Sequence, residues 1–260
     1  MLTRISSRLK LFFTSLLLVV ISSCNTGTEQ TAKKPTLCIL GGTPSTVAIL
    51  NVIPDSIKDR YNVISFNRSG FGGTENRKMT KELLYELARK AGLHENDFGI
   101  IGISGGGPLA ISLASMFKLK HCGIISGMVS GDAYFPFADS TMTKSVMENA
   151  KGSYEKFNEA ALQFPNLPEI ILQAGDSTQE QAIRACYNEI NYILSGDLYS
   201  TTDSTIRIDW WHGENDKNVA IQSVELFLKN YKNAVLNKIP GADHNIDARV
   251  YIEKLLNSWK

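Results

Sequence analysis

The sequence predicts an α/β domain, a mostly parallel sheet flanked by helices. Three observations predict it. Short apolar runs of strand length alternate with longer segments of helical period. Several of these runs end in glycine-bearing turns, as at Gly41-Gly42-Thr43-Pro44-Ser45 and Asn67-Arg68-Ser69-Gly70-Phe71-Gly72. One run, Phe98-Gly99-Ile100-Ile101, passes through Gly102-Ile103-Ser104-Gly105-Gly106 straight into a helical segment, Pro108–Ala114.

The elements follow in chain order. Thr36-Leu37-Cys38-Ile39-Leu40 opens a strand over 36–41. A helix over 46–58 leads to the second strand, 61–66. The next helix, 80–92, repeats Leu83, Leu84, Leu87 and Ala88 at helical spacing. The strand over 98–103 precedes a helix over 106–118, which has Pro108 in its first turn, where no backbone bond is lost. A strand over 121–129 comes next, and then the alternation breaks. Residues 131–203 read as an insertion with helical pieces at Thr143–Ala150, Ser153–Gln163 and Gln179–Ile193. The alternation resumes with a strand at 205–211, a helix at 217–230, a strand at 233–239 and a helix at 246–259.

Ser104 stands where a buried strand turns into a helix N-terminus. That is the context of a nucleophile elbow, a sharp turn that needs small neighbours so that strand and helix can approach. The helix dipole then favours negative charge near the serine oxygen. A serine hydroxyl also needs a base, and the base needs an orienting acid. His244 lies in Gly241-Ala242-Asp243-His244 after the last strand, and Asp216 ends Gly213-Glu214-Asn215-Asp216 after the strand before it. The order Ser, Asp, His is that of the α/β-hydrolase triad and differs from those of chymotrypsin and subtilisin.

Over roughly 36–259 the chain resembles the α/β-hydrolase fold superfamily. Gly41-Gly42-Thr43-Pro44 is similar to its His-Gly-x-Pro oxyanion loop, with Gly41 in place of histidine. Asn67-Arg68-Ser69-Gly70-Phe71-Gly72 is similar to its Asp-x-x-Gly-x-Gly turn, with Asn67 in place of aspartate. The elbow resembles that of esterase and peptidase-like members. The resemblance implies an acyl-enzyme mechanism on Ser104, Asp216 and His244, with no metal or organic cofactor. The oxyanion is expected on the N–H groups of Thr43 and Gly105. The insertion at 131–203 is expected to form a helical cap over the site. Because the triad positions lie outside it, chemistry and selectivity are expected to separate.

Rival residues stay open at this point. Asp132 follows the fourth strand, where some members of the superfamily carry the acid. Asp243 adjoins His244, and neighbours in an extended loop point apart. His212 precedes the acid loop with no serine of its own to serve. Tyr134, Phe135 and Phe137 begin the insertion and are candidates for an acyl pocket, although aromatics at a hinge also serve packing. Trp210 and Trp211 read as packing residues of a strand end.

Ahead of the domain, Arg4, Arg8 and Lys10 precede the apolar stretch Leu11–Ile21, too short to span a bilayer comfortably. Together with Ser22-Ser23 they read as a secretory signal over 1–23. Ile21-Ser22-Ser23-Cys24 resembles a bacterial lipobox, which implies a lipid anchor on Cys24, a polar tether over 24–35 and a place in the cell envelope, facing the periplasm or exterior.

The 260 residues hold 27 basic and 26 acidic side chains. Without the three basic leader residues the remainder carries 24 against 26, about −2, which offers no basic surface for nucleic acid. Beyond Cys24, Cys38, Cys122 and Cys186 are odd in number and lack zinc-like spacing, so neither a disulfide framework nor a metal site is expected. His94 and His121 are isolated histidines. Two function classes follow: a hydrolase of small-molecule esters, less favourably of amides or small peptides, or a non-catalytic protein that binds a ligand in a capped cavity.

Overall fold

The computed structural model describes residues 33–139, 142–199 and 206–259. The predicted signal segment and Cys24 lie outside the described residues, as does most of the tether. Six strands are described: β1 (Thr36–Leu40), β2 (Asn62–Ile64), β3 (Gly99–Ile103), β4 (His121–Ile125), β5 (Ile208–Gly213) and β6 (Ala234–Ile239). They pair side by side in the order β2-β1-β3-β4-β5-β6, every pair parallel. No antiparallel pair occurs among the described residues. Parallel strands need crossovers, and these are the helices predicted from the alternation.

Strand side chains alternate between two cores. Cys38, Leu40, Ile100, Cys122 and Ile124 face one layer, built by α2 (Lys81–Lys90) and α3 (Gly106–Met116). Leu37, Ile39, Ile101 and Ile125 face the other, against Ile252, Leu255 and Leu256 of α10 (Ala248–Ser258). Each fully buried aliphatic side chain is worth about 1.5–3 kcal/mol. Nine of the eleven residues of α3 are buried, which places this helix, and the turn that starts it, at the centre of the molecule.

Several predicted boundaries move for local reasons. The helix expected at 46–58 is a 3-10 turn, Val47–Val52, followed by the four-residue α1, Asp55–Lys58. Pro54 divides them, because it forces Ile53 into an extended conformation (φ −76°, ψ 125°). The fourth strand stops at Ile125, since Ser126 takes φ +46° and turns the chain. The fifth runs on to Gly213, so His212 lies inside a strand and not after one.

Between β4 and β5 the insertion folds as α4 (Gly131–Tyr134), α5 (Met142–Ala150), α6 (Tyr154–Leu162), α7 (Leu167–Gln173), α8 (Gln179–Ser195) and a 3-10 turn at Asp197–Tyr199. Three of the helices match the predicted pieces. The additional α7 carries Pro168 in its first turn, a start signal present in the sequence. α8 opens with a reciprocal capping box between Thr178 and Gln181 and closes at Gly196, which takes φ +83°.

Candidate active site

Ser104 links β3 to α3 with φ +48°, a left-handed conformation uncommon for serine. Such a residue costs about 1–3 kcal/mol and persists only when its surroundings hold it. Here the Ser104 N–H donates to Ile125 O (3.0 Å), and the Ser104 carbonyl accepts from Gly107 N and Met128 N, both at 3.0 Å. Two glycines make the crossing possible. A Cβ on Gly102 would run into the Gly106 carbonyl, and one on Gly106 would meet Gly41 O at 2.5 Å.

The loops after β5 and β6 bring Asp216 and His244 to the same edge of the sheet. Ser104 Oγ lies 3.0 Å from His244 Nε2, and His244 Nδ1 lies 2.7 Å from Asp216 Oδ2. Asp216 Oδ1 accepts the backbone N–H groups of Asn218 (2.8 Å) and Val219 (2.9 Å). Its side chain has no exposed surface. Burial by itself pushes the Asp216 pKa up. Hydrogen bonds from His212 and His244, the charge on His244 and the Val219 N–H outweigh that, and hold the carboxyl well below the usual carboxylate range. An ionised carboxylate only accepts hydrogen bonds, so His244 Nδ1 is the donor and Nε2 is left to accept from Ser104.

His212 is a second imidazole on the same carboxylate. Its Nε2 lies 3.1 Å from Asp216 Oδ2 and 2.8 Å from Val219 O. Its Nδ1 accepts from Trp210 Nε1 at 3.3 Å. Indole nitrogen is a donor only, so the proton of His212 sits on Nε2, facing Asp216 and Val219. In the sequence His212 has no serine of its own to serve; in the structure it contacts the acid, Asp216.

Thr43 and Gly105 come together opposite the serine. A Cβ on Gly105 would approach Thr43 N to 3.1 Å, so the two backbone segments are in contact. Among the described residues neither N–H donates to another group. Behind them lies an ion pair that the sequence reading missed. Arg68 Nε donates to Glu189 Oε2 (2.6 Å), and Arg68 Nη2 donates to Glu189 Oε1 (3.0 Å) and to Gly42 O (2.6 Å). Thr43 Oγ1 donates to the same Glu189 Oε1. Residues 68 and 189 are far apart in sequence, but α8 did hold a signal: Glu189 lies on the face that carries Cys186, Ile190 and Ile193. The substitution at Asn67 is also accounted for. Its Oδ1 accepts from Val47 N (2.8 Å) and its Nδ2 donates to Gly72 O (3.3 Å), so the amide ties this turn to the 3-10 turn Val47–Val52 that precedes it in the chain.

The rival and pocket residues fall elsewhere. Asp132 is exposed on α4, and Asp243 Oδ1 accepts from Asn245 N. Tyr134, Phe135 and Phe137, the expected acyl-pocket residues, are not among the walls of the cavity over Ser104. Tyr134 is buried against Phe135, Phe135 carries Lys151 over its ring at 4.7 Å, and Phe137 is exposed. The cavity, about 940 Å³, opens over Ser104 and His244, with Met147, Phe164 and Ile170 of the insertion among its walls. Glu169 and His244 are its ionisable wall residues.

No family model and no curated protein matches the sequence. Solved structures do match. An esterase from a marine microorganism has a TM-score of 0.61 at 16% identity, over 86% of this chain and 95% of that one. Esterase RhEst1 from Rhodococcus sp. ECU1013 gives 0.58 at 14%, over 87% and 90%. MGS-M2, an α/β hydrolase from a Medee basin deep-sea metagenome library, gives 0.60 at 15%, over 89% and 90%. At this identity the likeness concerns the fold: the chain has the α/β-hydrolase fold.

Proposed function

We propose that the protein is a serine hydrolase that cleaves small-molecule esters, and less readily amides or small peptides. One observation carries the reading: the continuous chain Ser104 Oγ, His244 Nε2 and Nδ1, Asp216 Oδ2, with links of 3.0 and 2.7 Å, at the floor of a cavity. The esterases among the solved structures of the same fold support it.

In this mechanism His244 Nε2 takes the Ser104 proton as Oγ attacks the ester carbonyl. Asp216 stabilises the imidazolium and fixes its tautomer. The tetrahedral oxyanion lies against the N–H groups of Thr43 and Gly105, each worth about 3–4 kcal/mol in the transition state. Collapse expels the alcohol, which takes the proton from His244 and leaves an acyl-Ser104. A water, deprotonated by His244, then releases the acid and restores the serine.

A fluorophosphonate probe tests the reading, because it reacts only with an activated serine. The protein should be labelled and Ser104→Ala should not be. Absence of label on the folded protein, with no turnover of any ester, would favour the alternative of a binding protein. We further propose that the insertion is the helical cap of the site, and that Cys24 carries a lipid anchoring the domain to the bacterial envelope. The lipobox-like sequence ahead of Cys24 supports the anchor.

A further inference from the structure

Beside the main cavity lies a smaller one of about 160 Å³. The two are contiguous: Thr43, Pro44, Met147, Phe164, Ile170 and Ile190 are walls of both. The far end is built by Phe157 and Ala161 of α6 and by Ile183 and Cys186 of α8, which do not line the main cavity. All four are buried. They recur at helical spacing, so each helix presents one apolar stripe to the space.

Its chemistry is apolar throughout. Thr43 and Thr143 are the two hydroxyl side chains in its wall, and both are engaged: Thr43 donates to Glu189 and Thr143 to Asn218 Oδ1 at 3.2 Å. Burial pushes the Cys186 thiol far above its ordinary value, so it stays neutral. No lysine or arginine is among the wall residues to receive an acidic group.

Its position relative to the reacting atoms gives it a side. The leaving alcohol departs toward His244, which returns the proton to it. His244, Asn245, Asn218 and Val219 line the main cavity and not the small one. The small cavity instead begins at the oxyanion loop, where the acyl half of the substrate projects. Resting on the serine-hydrolase reading above, we propose that this side cavity is the acyl-binding subsite, and that the preferred substrates are esters of a compact, uncharged, apolar acid. Its size matches an engineered apolar cavity of about 150 Å³ that accommodates benzene, so the acyl group is bounded at roughly six carbons.

The test uses two series of p-nitrophenyl and alkyl esters. In the first, the alcohol is fixed and the acyl chain grows from two to twelve carbons. In the second, the acyl group is fixed as acetyl and the alcohol grows. In the first series kcat/KM should rise to about four to six carbons and then fall by roughly tenfold or more, the scale set by misfit in an apolar pocket. The second series should vary much less. Ala161→Leu fills the far end and should lower the hexanoate-to-acetate ratio of kcat/KM by about tenfold. Ile183→Ala opens it and should move the optimum to longer chains, with a thermal melt confirming that each variant is folded. Hydrolysis and probe labelling with an acyl profile that is flat, or that neither variant moves, would overturn the subsite and leave the hydrolase standing. Absence of both hydrolysis and labelling would overturn the hydrolase reading itself.

Discussion

Arg68 and Glu189 form a bidentate ion pair with about 1% of either side chain exposed, although one belongs to the turn after β2 and the other to the insertion. Both also grip the loop after β1, the proposed oxyanion loop, Arg68 at Gly42 O and Glu189 at the Thr43 hydroxyl. A buried pair gains little over an apolar pair of the same volume, but removing one partner strands a charge. Its value here is therefore geometric.

Removing one partner should cost about 3–5 kcal/mol of stability, read by urea unfolding of Glu189→Gln or Arg68→Met. The double variant Arg68→Met/Glu189→Met should recover much of that loss. Its kcat should stay depressed, by up to about 10²–10³-fold if the Thr43 donor is lost, with KM changed far less, because the donor acts on the transition state. Full recovery of both quantities would show that the pair serves the core alone.

Asp216→Asn should lower kcat by orders of magnitude, about 10⁴ in the comparable triad, while Asp132→Asn should change it little. The opposite ranking would move the acid to Asp132. A stability test accompanies this one. The pKa of Asp216 is lowered in the folded protein, so its charge contributes stability that is complete above its unfolded value, about 4, and is lost as pH falls below it. Urea midpoints measured from pH 6 down to 3 should fall more steeply for the wild type than for the variant.

His212→Ala should destabilise the fold by about 2–4 kcal/mol, from the lost packing and an unsatisfied Val219 carbonyl. It should also reduce kcat, by less than Asp216→Asn, because Asp216 keeps three of the four donors seen in the structure. His212→Gln should restore part of both losses. If His212→Ala lowered the melting temperature with no change in kcat, the contact to Asp216 would be a packing detail.

Cys24→Ser should abolish incorporation of a fatty-acid analogue and leave an unprocessed precursor. A labelled band of the same strength in the variant would place the lipid elsewhere or remove it from the account.

Short-range signals carried most of what the sequence revealed. Apolar runs located all six described strands; β1, β3 and β4, buried on both faces, are apolar along nearly their whole length, whereas β2 and β6 are part-exposed. The elbow was legible because Gly102, Ser104 and Gly106 answer one local steric problem. The loops of Asp216 and His244 were legible because each directly follows a strand. What escaped depends on long-range contact. The pairing of Arg68 with Glu189 crosses 121 positions, and no spacing rule joins them. The role of His212 depended on where β5 ends. The walls of the small cavity come from four helices and the loops beside them, whereas the aromatic cluster Tyr134, Phe135 and Phe137 drew attention only by composition.

The grip of Glu189 on Thr43 also limits how this protein can be recombined. Helical insertions look like exchangeable modules, since they enter and leave the sheet at two crossings and carry no triad residue. A chimera that exchanged residues 131–203 for the corresponding stretch of another sequence would leave Arg68 facing a foreign side chain beneath the loop of Gly42 and Thr43. Only donors with an acidic residue at the same helical position would transfer intact. Position 189 should therefore be inherited together with position 68, and a library of swapped insertions should be filtered on that pair before it is screened for new substrates.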